Sequence, residues 1–292
     1  MARELLSYRE FGKGSEVLIC LAGFPDNEIS GWGEILDHLQ TAPYSKYRVV
    51  CVCLPDFEDE PLAQPRRQWG YSWDEIIALL DATISHVVPD PNKKVALMIH
   101  DWGSYGGLMY ENRHPERVSK VVCLDVAMGI SKGKSLFPPY LIVVLYQLWW
   151  AWAYFLSQAL HASIGSLVFA LYSLLVPSWF RPTPMQAKDI PRPTAQISVQ
   201  LCYPYYHFWK DMLFSTTKSR LSLIPRPVSC PILFCYGTHK NVMFHKPGFL
   251  KWIDRRTDGS KQVAIEGAGH WLSRGAAASA VCKEMDGFLL GR

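Results

Sequence analysis

The sequence predicts an α/β fold, a mostly parallel central sheet flanked by helices with an inserted helical cap. Three observations predict it. Short apolar runs bounded by turns recur at residues 16–22, 48–54, 94–100, 119–125, 231–237 and 261–265. Continuous runs of this length suit strands covered on both faces, the condition of a parallel sheet. Helical patterns at residues 72–88, 103–113, 243–255 and 275–290 alternate with them, which is the α/β rhythm. Between residues 136 and 180 the rhythm breaks, because no Asp, Glu, Lys or Arg occurs there. Strand and helix resume afterwards, so the stretch reads as an insertion. The predicted division is a core of residues 1–130, a cap of residues 131–225 and the remaining core at 226–292.

Composition bounds the function classes. With 49% hydrophobic and 19% charged residues among 292, the chain can bury a large core and is not disordered. The net charge is only +4 and the cations are scattered, so no stripe tracks a phosphate backbone and no nucleic-acid partner is expected. No repeat at a fixed period supports a solenoid or propeller. Six of the eight cysteines, at 20, 51, 53, 123, 230 and 235, fall in apolar runs and read as small core hydrophobes, Cys51 and Cys53 on one strand face. No C-x-x-C pair or other ligand cluster suggests a metal, and no cofactor is expected. The first residues lack the apolar stretch of a signal peptide, which makes a reducing cytoplasm the expected compartment.

The uncharged stretch is long and apolar enough for a membrane span, but Gln147, Gln158 and His161 interrupt it. A lid of apolar helices is the reading preferred, with peripheral membrane contact through the cap as the other partner it admits. Prolines 177, 182, 184, 191 and 193 exclude continuous helix after it and predict a loop wrapping the lid.

An open α/β sheet presents its site at the carboxyl ends of its strands. The run ending at Ile99 passes through His100, Asp101, Trp102 and Gly103 into a helix, the strand, turn and helix that expose a nucleophile. Asp is also a favoured helix cap, so Asp101 alone decides nothing. A second residue changes the balance: His270, in Gly269-His270-Trp271, follows a late strand and is placed to act as a base. The pattern G-x-S-x-G at Gly129 to Gly133 matches a serine elbow by letter, but Ser131 lies several residues past its strand and lacks that context.

These motifs resemble those of the epoxide hydrolases of the α/β-hydrolase fold, with haloalkane and haloacetate dehalogenases as near relatives. The likeness covers nearly the whole chain. His100-Asp101-Trp102-Gly103 resembles the family's nucleophile elbow, Gly23-Phe24-Pro25 with Trp32 its oxyanion loop, and Gly269-His270-Trp271 its base motif. The resemblance implies a cis Phe24–Pro25 bond and an oxyanion hole from the N–H groups of Phe24 and Trp102. Tyr146 and Tyr206 correspond to the two lid phenols that hold an epoxide oxygen, with Tyr203 and Tyr205 as neighbours of the second. Trp32, Gln147, Trp150, Tyr205 and Trp271 are expected to border the substrate. The activity implied is conversion of a hydrophobic or lipid-like epoxide to a vicinal diol through an ester of Asp101.

Three departures stand out. Ile99 occupies the place two before the nucleophile where glycine is usual, and a branched residue there either shifts the elbow or requires a compensating gap nearby. Ala22 replaces a histidine that supports the oxyanion loop. Asn241 stands where the acid that orients the base is expected, and an amide cannot stabilise imidazolium by charge. Asp125, after the strand at 119–125, offers the carboxylate instead, leaving Asn241 as the alternative partner. Two other readings remain: a haloalkane or haloacid dehalogenase, and a noncatalytic lipid-binding protein on a hydrolase scaffold. The first is disfavoured because Phe24 replaces the asparagine usual in haloalkane enzymes, and the residues directly after Asp101 include none of the arginines of haloacetate enzymes.

Overall fold

A computed structural model describes residues 4–59, 65–183, 190–216 and 224–291. Nine strands occur among them: β1 (Tyr8–Phe11), β2 (Glu16–Leu21), β3 (Tyr47–Val52), β4 (Val95–His100), β5 (Val118–Leu124), β6 (Ser131–Lys132), β7 (Ile232–Gly237), β8 (Val242–Met243) and β9 (Lys261–Ile265). Seven form one sheet in the order β1-β3-β2-β4-β5-β7-β9, parallel throughout except for β1. Strands β6 and β8 make a small antiparallel pair. Each of the six apolar runs is a strand.

Side chains alternate across the sheet with period two. Leu18, Cys20, Val49 and Cys51 face one buried layer, whereas Ile19, Leu21, Val50 and Val52 face the other. Helices α1 (Gly33–Leu39) and α8 (Gly275–Leu290) cover the first layer; α2 (Trp73–Val87), α3 (Trp102–Arg113) and α7 (Pro247–Asp254) cover the second. Ser72 and Glu75 close a reciprocal capping box at the start of α2. All eight cysteines are buried, and none of them forms a disulfide among the described residues.

Two expectations need correction, and two elements are new. Cys51 and Cys53 do not share a face, because β3 ends at Val52 and Cys53 turns into the opposite layer. The helix expected over 243–255 begins only at Pro247, since Lys246, preceding proline, is extended, and Val242–Met243 pairs as β8. Strand β1 and helix α1 were not anticipated; β1 is four residues long and half exposed, too short to show alternation.

Between β6 and β7 the chain leaves the sheet as α4 (Pro139–Ala159), α5 (Ala162–Leu175) and α6 (Tyr203–Phe214). By length and composition α4 could cross a membrane. It instead buries Ile142, Val143, Tyr146, Ala153 and Tyr154 within the protein, over the carboxyl ends of the strands. The proline-rich return contains short 3-10 turns at Ser178–Phe180 and Thr194–Gln196. Pro184 and residues 217–223 of the expected cap lie outside the described residues, as do residues 1–3 of the N-terminus. Arg192, nearly fully buried, fastens this return to the core by donating to the carbonyls of Pro25, Phe57 and Glu58.

Candidate active site

Because β2, β4, β5, β7 and β9 are parallel, the loops after them emerge along one edge of the sheet. The loop after β2 carries Phe24, that after β4 carries Asp101, that after β5 carries Asp125, that after β7 carries Lys240 and that after β9 carries His270.

Asp101 sits at φ 54°, a left-handed conformation uncommon for a side chain with a Cβ. It makes no capping hydrogen bond to α3. Its Oδ1 accepts instead from the N–H of Phe24 at 2.8 Å, and its Oδ2 lies 3.3 Å from His270 Nε2. The turn is tight enough that only glycine fits beside it: a Cβ on Gly23 would stand 2.2 Å from the Trp102 nitrogen and 2.5 Å from Asp101 Oδ1. The Phe24–Pro25 bond is cis.

His270 Nδ1 donates to Asp125 Oδ2 at 2.6 Å. The other oxygen of Asp125 accepts from Lys240 Nζ at 2.5 Å and from the N–H of Gly237 at 3.0 Å. Burial works against a charged His270, but the carboxylates of Asp101 and Asp125 on its two ring nitrogens outweigh it and raise its pKa to about 9. Burial likewise opposes charge on Asp125, yet Lys240 and His270 hold its carboxyl well below the usual range. His100 packs beside the base and donates from Nε2 to the His270 carbonyl at 3.1 Å; burial lowers its pKa to about 4, so it stays neutral.

Asn241 is not on the histidine. Its side-chain amide donates to the carbonyls of Ser178, Trp179 and Arg181 and so ties the cap's return loop to the core. Of Asp125 and Asn241, it is Asp125 that hydrogen-bonds His270. Ser131 lies in β6 with its hydroxyl on the His245 carbonyl, away from any elbow.

Above Asp101 and His270 is a cavity of about 410 Å³, walled by Phe24, Tyr146, Trp150, Tyr172, Tyr205 and Trp271 among others. Tyr146 and Tyr205 are both buried, their ring centroids 6.1 Å apart. Burial raises both phenols well above their ordinary pKa, and the nearby charge of Asp101 adds to the effect, so both keep their protons at neutral pH.

The cavity corrects three expectations. Tyr206 does not face it: the ring lies among Trp69, Tyr154 and Phe155, and Tyr205, one residue earlier, takes the inward place on α6. Gln147 stands behind Tyr146, donating to its hydroxyl at 3.2 Å and accepting from Trp209, so it orients the phenol from outside the cavity wall. Trp32 is wholly buried in the layer beneath the sheet.

Other residues were not foreseen. Lys240 and Arg192 are buried cations, and a lone Lys or Arg in a sequence reads as a solvated side chain. Asp26, two residues after Phe24, is fully buried, receives hydrogen bonds from Trp271 Nε1 and Ser30, and has its pKa pushed up to about 6 by burial. Tyr172 and Arg181 complete the cavity wall from the cap.

The sequence from residue 18 to 282 matches the model of the alpha/beta hydrolase family. The chain belongs to that family. No curated protein sequence matches this hydrolase. Among solved structures it is similar to the epoxide hydrolase VrEH1 of Vigna radiata, with 19% identity, full coverage of both chains and a TM-score of 0.62. It is also similar to a mutant of an epoxide hydrolase from Bacillus megaterium, complexed with its naphthyloxy-propanediol product, at 17% identity, 97% and 96% coverage and a TM-score of 0.63. An esterase from a marine microorganism matches at 18% identity, 97% and 99% coverage and a TM-score of 0.58. The neighbours as a set include epoxide hydrolases, esterases and a dehalogenase. At these identities they show the fold that the hydrolase shares.

Proposed function

We propose that this hydrolase opens a hydrophobic epoxide to a vicinal diol through a covalent ester of Asp101. The observation that carries the reading is the arrangement of three groups around one cavity: a carboxylate at the elbow held by His270 and by the Phe24 N–H, with two protonated phenols, Tyr146 and Tyr205, in the opposite wall. A carboxylate at the elbow separates it from enzymes that use a serine there.

In the first step a carboxylate oxygen of Asp101 attacks an epoxide carbon and the carbon–oxygen bond of the ring breaks. Tyr146 and Tyr205 hydrogen-bond the departing oxygen, and one phenol supplies the proton that makes it a hydroxyl. The imidazolium of His270 returns a proton through solvent to that phenol, so the step ends with neutral His270 and a neutral ester. Loss of the Asp101 charge removes one of the two carboxylates that favour imidazolium, which suits the histidine to act as a base.

In the second step His270, oriented by Asp125, takes a proton from water, and the hydroxide adds to the ester carbonyl. The N–H groups of Phe24 and Trp102 receive the oxyanion, each donor contributing about 10² to 10³ in rate. The diol leaves as alcohol, taking a proton from His270; the carboxyl proton left on Asp101 passes to His270 and restores the imidazolium, and one carboxylate oxygen of Asp101 now derives from water. The tests follow from the ester. His270→Gln should accumulate an alkylated protein, seen as added mass on Asp101, and a single wild-type turnover in labelled water should place the label in the Asp101 side chain. Diol formation with no label in Asp101 overturns the mechanism.

A further inference from the structure

We infer that the α4–α5 hairpin of the cap is a docking surface for an anionic lipid bilayer, and that the cavity opens toward that bilayer. The outer face of α4 repeats apolar residues at helical spacing, with Leu141, Leu145 and Trp152 exposed. Helix α5 buries only Gly165 and Tyr172 of its 14 residues and exposes Ile164, Leu167, Leu174 and Leu175. Leu136 is 93% exposed and Leu174 is 78% exposed, and with α4 packed on α5 these residues gather on one hairpin rather than scattering singly as is usual on a surface.

Charge selects the occupant. No charged residue occurs from 136 to 180, and the charged residues that flank this stretch in sequence, Lys132, Lys134 and Arg181, are all cationic. A second copy docked about a twofold axis would bury the apolar face but set these like charges against each other. An anionic headgroup layer complements them, and Tyr140, Trp152 and Trp179 are exposed in the amphipathic role that suits a membrane interface. Spanning is not the mode, because the inner faces of the same helices wall the cavity through Tyr146, Trp150, Phe169 and Tyr172.

The cavity adds a reason for the contact. Ala170 and Ser173 line it and are themselves exposed on α5, between the exposed Leu167 and Leu174. A lipophilic molecule dissolved in the bilayer thus reaches the cavity along apolar surface without crossing water. The docking needs no substrate, so it stands or falls apart from the epoxide chemistry.

The test is sedimentation of the full chain with vesicles of phosphatidylcholine and phosphatidylserine, compared with vesicles of phosphatidylcholine alone. Wild-type protein should sediment with the mixed vesicles, and Leu167→Glu/Leu174→Glu should bind on the order of a hundredfold more weakly, each buried leucine contributing roughly tenfold. The double variant should keep the wild-type circular dichroism and the wild-type rate on a water-soluble epoxide. As a readout needing no variant, vesicles that also contain brominated acyl chains should quench the tryptophan fluorescence of the wild type. Wild-type protein that stays in the supernatant and is not quenched overturns the inference. So does a stable dimer in velocity sedimentation that Leu167→Glu/Leu174→Glu dissociates, since a second copy would then cover the face.

Discussion

Lys240 Nζ stands 2.5 Å from Asp125 Oδ1, and both side chains are wholly buried. The opposite oxygen of the same carboxylate holds His270 Nδ1, so the negative charge that steadies the base is shared with an ammonium. In the proposed mechanism that sharing matters after the ester forms, when Asp101 no longer carries charge and Asp125 alone favours imidazolium. Lys240→Met leaves Asp125 unshared, strengthens its pull on the His270 proton and raises the pKa of His270 in the ester. The neutral base is then present only at higher pH, so the acidic limb of kcat should move upward by about one unit or more, opposite charges at this range shifting a pKa by roughly 1–3 units. Breaking the buried pair should also destabilise the fold by about 3–5 kcal/mol, so the profile is measured well below the melting temperature. An unmoved acidic limb removes Lys240 from the chemistry and leaves it a structural role.

Much of this site was legible in the sequence for a physical reason. Strands covered on both faces must be continuously apolar, so β2, β4, β5 and β7 announce themselves, and their carboxyl ends point to Asp101 and Asp125. From the strand ends to the cap, legibility falls. On α6 a shift of one residue turns a side chain about 100°, so Tyr205 and Tyr206 cannot be told apart without knowing which face meets the core. Trp32 follows the oxyanion loop in sequence but turns beneath the sheet, because the loop reverses before α1. Lys240 was invisible because burial of an ammonium depends wholly on a partner 115 residues away.

Asp125 and Asn241 can be ranked directly. Asp125→Asn keeps the size of the side chain but exchanges the oxygen accepting from His270 for an amide and leaves Lys240 without its counter-ion. Turnover should fall by about 10³ to 10⁴, the scale of losing the orienting acid in a comparable constellation. Asn241→Ala removes three hydrogen bonds to the cap's return loop and should raise KM while leaving kcat within a few fold. The opposite ranking in kcat would transfer the orienting role to Asn241.

The three cap tyrosines separate by removal of a hydroxyl. Tyr146→Phe and Tyr205→Phe should each slow epoxide opening by roughly 10², the lower end of acid catalysis, with the ester-hydrolysis step unchanged in single-turnover measurements. Tyr206→Phe should stay near the wild-type rate, because that ring packs on Trp69 and Phe155 and does not line the cavity. A slow Tyr206→Phe with a normal Tyr205→Phe would place Tyr206, and not Tyr205, on the epoxide oxygen.

Ile99 and Gly107 form a matched pair that explains how the elbow accommodates a branched residue. Ile99 lies on β4 two residues before Asp101, and a Cβ built on Gly107 of α3 would meet its Cγ2 at 2.5 Å. The gap left by glycine on the helix is thus the space the isoleucine fills, and neither residue is exchangeable alone. Two effects compete in Gly107→Ala: alanine gains about 1 kcal/mol of helix propensity, and overpacking against a stiff β-branched side chain costs about 1–3 kcal/mol. In the wild-type background the clash should dominate, lowering the melting temperature and, by shifting α3 against β4, slowing ester formation at Asp101. In an Ile99→Ala background the Cγ2 atom is gone, a cavity takes its place, and the same Gly107→Ala change should become stabilising. A reversal of sign between the two backgrounds, measured by denaturant unfolding, is the signature of direct contact. If Gly107→Ala stabilises both backgrounds equally, the two positions are independent and the elbow tolerates Ile99 by some other adjustment of the strand.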